Sequence, residues 1–253
     1  MTLTELENWL NNTLQPELWK GADAALNGLQ VARREARVGR VAFAVDASLQ
    51  SFERAADAGA DALVVHHGLW WGQPLALTGD HYRRVRSLLD HDLALFAYHL
   101  PLDAHPTLGN NAGMATALGL GDLQPFGEYK GRLVGVRGTL PEPRSLEELC
   151  DTLFHGRENV LQLLPFGKNP VRTVGLVSGG ATREVADAIR SSLDVFITGD
   201  ADHTVYHTCL EAGINLISGG HYATETWGVR LLAQHLQKET GVPTVFLDLP
   251  TGL

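Results

Sequence analysis

Short apolar runs alternate with helix-like segments along most of this 253-residue chain, and this alternation restricts the fold more than any other sequence feature. It is typical of mostly parallel sheets flanked by helices. The sequence therefore predicts an α/β fold. The clearest apolar runs, which we predict to be buried strands, are residues 41–45, 62–65, 93–98, 174–177, 195–198 and 214–217.

Capping and turn residues divide the chain further. A Thr-x-x-Glu pattern at Thr4 and a Ser-x-x-Glu pattern at Ser145 each predict the start of a helix. Asn111 is placed to cap a short helix that ends at Gly119. Residues 121–131 are rich in glycine and have no clear periodicity, so we expect a domain boundary there.

Composition narrows the class of function. The formal net charge is −9 with scattered basic residues, whereas nonspecific nucleic-acid binding needs a concentrated basic face, so we expect no DNA partner. No run of about 18 apolar residues could cross a membrane, and residues 1–7 lack the features of a secretory signal. A cytoplasmic location is expected. The two cysteines, Cys150 and Cys209, lie in helix-like stretches and are predicted to be unpaired core residues.

Three predicted strands are followed by histidines. A His-His-Gly sequence ends the run at residues 62–65, and a His-Leu-Pro-Leu-Asp sequence ends the run at residues 93–98. After residues 214–217, a glycine turn leads to a helix that begins with His and has Glu four residues later. Loops at the carboxyl ends of strands present such side chains to ligands in open α/β sheets. The candidate metal ligands are His66, His67, His99, Asp103, His221 and Glu225.

These four imidazoles and two carboxylates exceed the ligands that one tetrahedral zinc ion needs. Two divalent metal ions fit the count better, and mixed imidazole and carboxylate donors suit zinc, iron or manganese. The chemistry indicated is attack by a bridging hydroxide on electrophilic carbon or phosphorus. A single histidine at a strand end is more often structural, so spacing alone leaves both a metal site and a set of structural histidines open.

Several nearby residues give weaker signals. His203 and His207 are four residues apart on a predicted helix and form a rival pair, for which we favour a structural or substrate-contacting role. Asp200 and His203 are candidates for proton transfer in catalysis. Residues 178–180, Ser-Gly-Gly, could hold an anion, but a tight turn is the simpler interpretation because the lysine of a phosphate-binding loop is absent. The tryptophans at residues 70–71 are predicted to pack beside the site.

Three segments of the sequence resemble one known family. Residues 66–68 (His-His-Gly), residues 99–111 and residues 220–225 (Gly-His-Tyr-Ala-Thr-Glu) are similar to motifs of the Nif-three-like dinuclear metal proteins, and most similar to the YbgI-type branch. Essentially the whole chain shares the resemblance. Tyr222 stands where that branch usually has a second histidine, and Asp200 stands where it usually has a glutamate.

The resemblance implies two interlinked α/β domains, a homohexameric ring of subunits, and metal ligands at the six positions named above. Combined with the boundary expected near residues 121–131, it predicts a metal-binding α/β domain of residues 1–127 and 219–253. Residues 128–218 would form the second α/β domain.

Two functions are compatible with the resemblance. Members are often named GTP cyclohydrolase 1 type 2 homologues, which implies a metal-dependent hydrolase that opens the guanine ring of a nucleotide and releases formate. The alternative is a non-catalytic hexameric protein that holds metal or binds a partner.

Overall fold

The computed structural model describes residues 1–253. The contacts between residues divide the chain into two compact units. Unit 1 consists of Met1–Leu102 and Val229–Leu249, and unit 2 consists of Asp103–Gly228 and Pro250–Leu253. The domains predicted from the sequence, 1–127 with 219–253 and 128–218, have other bounds and stay a prediction.

Unit 1 is built on a five-stranded sheet with the strand order β1-β4-β3-β2-β11. β2, β3, β4 and β11 run parallel, and β1 pairs antiparallel with β4 at one edge. The elements of this unit are α1 (Leu3–Leu14), β1 (Gly28–Val31), β2 (Val41–Asp46), α2 (Leu49–Asp57), β3 (Ala62–His67), α3 (Gly79–Asp90), β4 (Ala94–Ala97) and β11 (Thr244–Phe246). The central strands are almost entirely buried, which explains their continuous apolar sequences.

Unit 2 contains a six-stranded sheet with the order β5-β6-β8-β9-β10-β7. β8, β9 and β10 are parallel, and antiparallel strands occupy both edges. Its elements are α5 (Asn110–Leu118), β5 (Gly121–Tyr129), β6 (Arg132–Arg144), α6 (Leu146–Phe154), β7 (Gln162–Pro165), β8 (Val171–Val177), α7 (Val185–Arg190), β9 (Val195–Thr198), α8 (Val205–Ala212) and β10 (Asn215–Ser218).

Two further helices contain the unit boundaries, α4 (Leu100–Asp103) and α9 (His221–Thr240). None of the helices is both long and apolar enough to span a membrane. The predicted α/β fold, with mostly parallel strands flanked by helices, is confirmed.

The helix starts test the capping predictions. α6 begins after Ser145, whose side chain accepts from the Glu148 N–H while Glu148 accepts from the Ser145 N–H, as predicted. The predicted start at Thr4 is wrong, because Thr2 forms the capping box with Glu5. Thr2 pairs as an isolated bridge with Arg37, which keeps its backbone extended, so the helix begins directly after it.

Two other local predictions also fail. Gly109, not Asn111, is the N-cap of α5, because the Asn111 side chain is buried and its amide donates to the Val134 carbonyl at 2.9 Å. Residues 121–129 form β5 rather than an irregular segment. Most of β5 is exposed at the edge of the sheet, so its sequence shows no alternation of apolar and polar residues.

Each unit has its own apolar core. In unit 1, Phe52 of α2 and Leu88 of α3 pack with residues of β2, β3 and β4. In unit 2, helices α5 and α6 pack against β8 and β9, and Cys150 belongs to this core. Each fully buried aliphatic or aromatic side chain contributes about 1.5–3 kcal/mol relative to exposure. Cys150 and Cys209 are both unpaired and buried, as predicted, and burial raises the pKa of each thiol to about 11.

Asp194 joins two strands of unit 2 through a nearly buried carboxylate. It accepts hydrogen bonds from the N–H groups of Arg172 at 2.7 Å and Thr173 at 2.9 Å, and it pairs with Lys168. Burial opposes ionisation, but the hydrogen bond from Lys168 and these N–H donors hold the pKa of Asp194 below its ordinary value of 3.8. A carboxylate whose pKa is lower in the folded than in the unfolded protein stabilises the fold at pH values above its unfolded pKa. This stabilisation is lost as the pH falls through the folded pKa.

We therefore expect Asp194→Asn to lower the free energy of unfolding near neutral pH by about 1–3 kcal/mol. We also expect the free energy of unfolding of Asp194→Asn to fall less steeply than that of the parent as the pH is lowered into the acidic range. Denaturant unfolding at a series of pH values measures both effects. Asp80→Asn is the matched control, because Asp80 forms an exposed pair with Arg83 that contributes little. The prediction would be contradicted if the free energy of unfolding fell as steeply with decreasing pH in Asp194→Asn as in the parent.

Candidate metal centre

The six predicted ligands divide equally between the two units. His66, His67 and His99 belong to unit 1, whereas Asp103, His221 and Glu225 belong to unit 2. We call the first set the histidine triad and the second set the carboxylate triad, and we describe each within its own unit.

Neighbouring parallel strands bring the histidine triad together. β3 and β4 pair with Val65 opposite Ala97, so His66 and His67 at the end of β3 lie at the same sheet edge as His99. One ring nitrogen from each histidine lies within 4.8 Å of the others, and the three side chains could hold a metal ion. The ring centroids of His66 and His67 are 4.7 Å apart, and those of His66 and His99 are 5.1 Å apart.

Hydrogen bonds at Nδ1 orient the first two imidazoles. His66 Nδ1 lies 3.0 Å from the Tyr98 carbonyl oxygen, and His67 Nδ1 lies 2.8 Å from Asp46 Oδ1. An acceptor at Nδ1 holds the proton there, which leaves the lone pair of the neutral ring on Nε2 for a metal. Asp46 was not predicted as a site residue. It ends β2, opposite His67 in the strand register, so its position at a strand end was a usable signal.

Asp23 orients the third imidazole. Its Oδ1 lies 2.9 Å from His99 Nδ1, while its Oδ2 accepts from the Leu100 N–H at 3.0 Å and from Asn27 Nδ2 at 2.9 Å. Burial favours the neutral acid, but the hydrogen bonds from His99, Asn27 and the Ala25 N–H hold the pKa of Asp23 at about 2. Asp23 is therefore an ionised acceptor at neutral pH. No sequence pattern marked it, because it lies in an irregular loop.

Within the carboxylate triad, Asp103 is held by two donors. Its Oδ1 accepts from Ser178 Oγ at 2.7 Å and from Asn110 Nδ2 at 2.9 Å. The Asn110 side-chain oxygen also accepts from the Gly228 N–H of α9 at 2.6 Å. Asn110 thus connects Asp103 to the helix that carries the other two members of this triad.

His221 and Glu225 lie on the first turn of α9. His221 Nε2 is 3.2 Å from Glu225 Oε1, and His221 Nδ1 is 2.7 Å from Asp200 Oδ2. The hydrogen bond to Glu225 outweighs burial and, with Asp200, raises the pKa of His221 to about 9. In the metal-free protein this ring carries a proton facing Glu225. A carboxylate oxygen of Glu225 also lies within 4.8 Å of one from Asp103. These anionic donors fit a divalent cation in place of that proton.

Glycines allow the backbone of unit 2 to approach these side chains. A Cβ atom on Gly179 would lie 2.2 Å from Glu225 Oε1 and 3.2 Å from His221 Nε2, and the φ of Gly179 is +65°. The Gly179 N–H donates to Thr224 Oγ1 at 3.0 Å. The Ser178 N–H also donates within the protein, so two of the three backbone N–H groups of residues 178–180 are already used, which supports the tight turn that we favoured.

The remaining candidates lie outside both triads. Asp200 contacts His221, as described above, and is therefore positioned to orient that ring. The prediction that His203 and His207 share a helix is wrong, because α8 begins at Val205. The side chain of Asp202 accepts from the Thr204 N–H, which forms a turn before the helix. His203 and His207 are exposed, and proton transfer by Asp200 or His203 stays a prediction.

Comparison with known proteins identifies the family. The model of the Duf34/NIF3 (NGG1p interacting factor 3) family matches residues 1–251. The chain belongs to the DUF34/NIF3 family. A DUF34/NIF3 relative from Treponema pallidum, named GTP cyclohydrolase 1 type 2 homolog, is 46% identical over 286 aligned positions that cover 100% of both chains.

Solved structures agree with this assignment. TTHA1606 from Thermus thermophilus matches with a TM-score of 0.91 at 39% identity, and the protein ybgI, of unknown function, matches with a TM-score of 0.89 at 33% identity. Each match covers 100% of both chains. The resemblance to Nif-three-like proteins and their YbgI-type branch, predicted from the sequence motifs, is confirmed.

Proposed function

We propose that the six candidate ligands bind two divalent metal ions, and that this DUF34/NIF3 protein is a metal-dependent hydrolase. One observation carries the proposal: each of the four candidate imidazoles has an oxygen acceptor at Nδ1. Three of these acceptors are carboxylates. Histidines that bind metal almost always have such a partner, because it fixes the tautomer and makes Nε2 a stronger donor.

The bound ions would supply Lewis acidity that activates water and polarises an electrophile at neutral pH. The residues of the chain have separate tasks. Asp23, Asp46 and Asp200 orient imidazoles, while Ser178 and Asn110 fix the rotamer of Asp103. Mixed nitrogen and oxygen donors suit zinc, iron or manganese.

The substrate class in this proposal is a nucleotide. Relatives named GTP cyclohydrolase 1 type 2 homolog support it, since that name refers to a cyclohydrolase whose substrate is GTP. A homohexameric assembly and a cytoplasmic location, both expected from the sequence, complete the proposal.

A test begins with protein purified without chelators or nickel affinity resin. Elemental analysis is expected to find about two divalent ions per chain, as in two-metal sites. GTP is then supplied to protein loaded with zinc, iron or manganese, and formate is measured. We expect formate only in metal-loaded samples, with chelator-treated protein as the control. The cyclohydrolase activity would be contradicted if protein fully loaded with each of the three metals in turn released no formate from GTP.

One observation favours a second function, a metal-holding or partner-binding protein without turnover. The formal net charge is −9, and the basic residues are scattered along the sequence without a cluster that would bind a triphosphate. This alternative predicts stoichiometric metal and a stable oligomer by light scattering, with no turnover of nucleotides or other phosphoesters.

A further inference from the structure

Trp71 is an exposed aromatic residue next to the histidine triad. The residue is 39% exposed, yet its ring centroid lies 5.0 Å from that of His99 in an edge-to-face arrangement and 5.7 Å from that of His67. The preceding tryptophan differs, because Trp70 is partly buried and packs edge-to-face against His81 of α3. Only Trp71 combines contact with two candidate ligands and a large surface open to solvent.

The position of the indole is fixed by hydrogen bonds. Trp71 Nε1 donates to the Gly68 carbonyl oxygen at 3.1 Å. The backbone between Gly68 and Trp71 is also held, since the Leu69 N–H donates to the Gln30 side chain and the Trp70 carbonyl accepts from the Leu26 N–H. The polar group of the indole is therefore already used. What the ring offers to a ligand is an ordered, apolar π surface.

The segment that follows adds to this surface. Residues 71–80 are all exposed, and they include Leu75 and Leu77, which are 47% and 55% exposed. A concentration of exposed apolar side chains beside polar groups commonly marks a binding site. Planar heteroaromatic rings are well suited to this one, because they stack on an indole without needing its N–H.

We propose that Trp71 is the platform on which a planar heteroaromatic ring of the substrate stacks, beside His67 and His99. This inference rests on the proposed function and specifies its substrate class as a purine-like base. The base, rather than the phosphate chain, would then provide the contact that holds the substrate next to the metal ligands.

The test uses metal-loaded full-length protein, with guanosine, GTP and inorganic triphosphate as probes. Calorimetry measures their affinity for the parent, Trp71→Phe and Trp71→Leu. Leucine keeps an apolar side chain without a π face, so guanosine should bind roughly 5- to 100-fold more weakly to Trp71→Leu. Trp71→Phe should lose less, and the affinity for triphosphate should not change. Tyr82→Leu removes another exposed aromatic of unit 1 and should bind guanosine like the parent.

The outcomes separate this inference from the function on which it rests. Equal guanosine affinity in Trp71→Leu and the parent overturns the platform and leaves the nucleotide function standing. Binding of neither guanosine nor GTP by the parent overturns both. Metal content and molar mass are measured for every sample. If Trp71→Leu loses metal, Trp71 supports the histidines. If it changes oligomeric mass while binding guanosine normally, Trp71 forms a subunit contact. Either result overturns the platform.

Discussion

Asp103→Asn is expected to remove most of the bound divalent metal while leaving the protein folded. The substitution replaces one carboxylate oxygen of this proposed ligand with an amide NH₂ group and removes one negative charge. We expect metal affinity to fall by more than about 100-fold, because losing even an outer partner of a metal ligand typically costs 10–100-fold. The asparagine oxygen can still accept the hydrogen bonds from Ser178 and Asn110, so the surrounding structure stays satisfied.

Elemental analysis and thermal unfolding measure the two effects separately. Asp103→Ala is the informative comparison, because it leaves the buried donors of Ser178 and Asn110 without an acceptor. Each such group costs about 1–3 kcal/mol, so Asp103→Ala should melt well below Asp103→Asn. Asp194→Asn is a control for the loss of a structural carboxylate in unit 2, and it should keep its metal. Parental metal content in Asp103→Asn would exclude Asp103 as a ligand.

Gly179→Ala is expected to damage the carboxylate triad directly. A methyl group at this position would lie 2.2 Å from Glu225 Oε1, and Glu225 is itself almost fully buried. The left-handed backbone of Gly179 adds about 1–2 kcal/mol of strain for any other residue. The turn cannot easily move aside, because the Gly179 carbonyl accepts from the N–H groups of Gly199 and Asp200, each at 3.0 Å.

We expect Gly179→Ala to weaken metal binding by at least about 10-fold, comparable to the loss of a supporting contact. It should also lower the melting temperature. Chelator competition and thermal unfolding measure these changes. Gly180→Ala is the matched control, since its methyl group would meet Asp200 Oδ2 at an ordinary 3.4 Å. Equal metal affinities for the two variants would show that the close approach at residue 179 does not matter.

Local signals in the sequence predicted some elements and missed others. The cap formed by Ser145 and Glu148 was predictable because the interacting residues are three positions apart. The choice between the overlapping patterns at Thr2 and Thr4 was not, because it depends on the pairing of Thr2 with Arg37. β5 escaped prediction for a similar reason: its place at a sheet edge leaves it exposed, without the apolar alternation of a half-buried strand.

The candidate site was likewise predictable from the sequence only in part. The donor residues were recognisable from short motifs after strands, and Asp200 was singled out as a proton carrier. That Asp46 orients His67 and that Asp23 orients His99 required the structure, since these pairs are separated by 21 and 76 residues.

The α/β alternation, the family and the chemical types of the six candidate ligands could be predicted from the sequence alone, because these depend on residue order and on motifs a few residues long. The folded structure was needed to show which oxygen fixes each imidazole, which donors hold Asp103, and why position 179 requires glycine. Those features arise from distances between atoms that folding brings together from distant parts of the chain, and no local pattern encodes such distances.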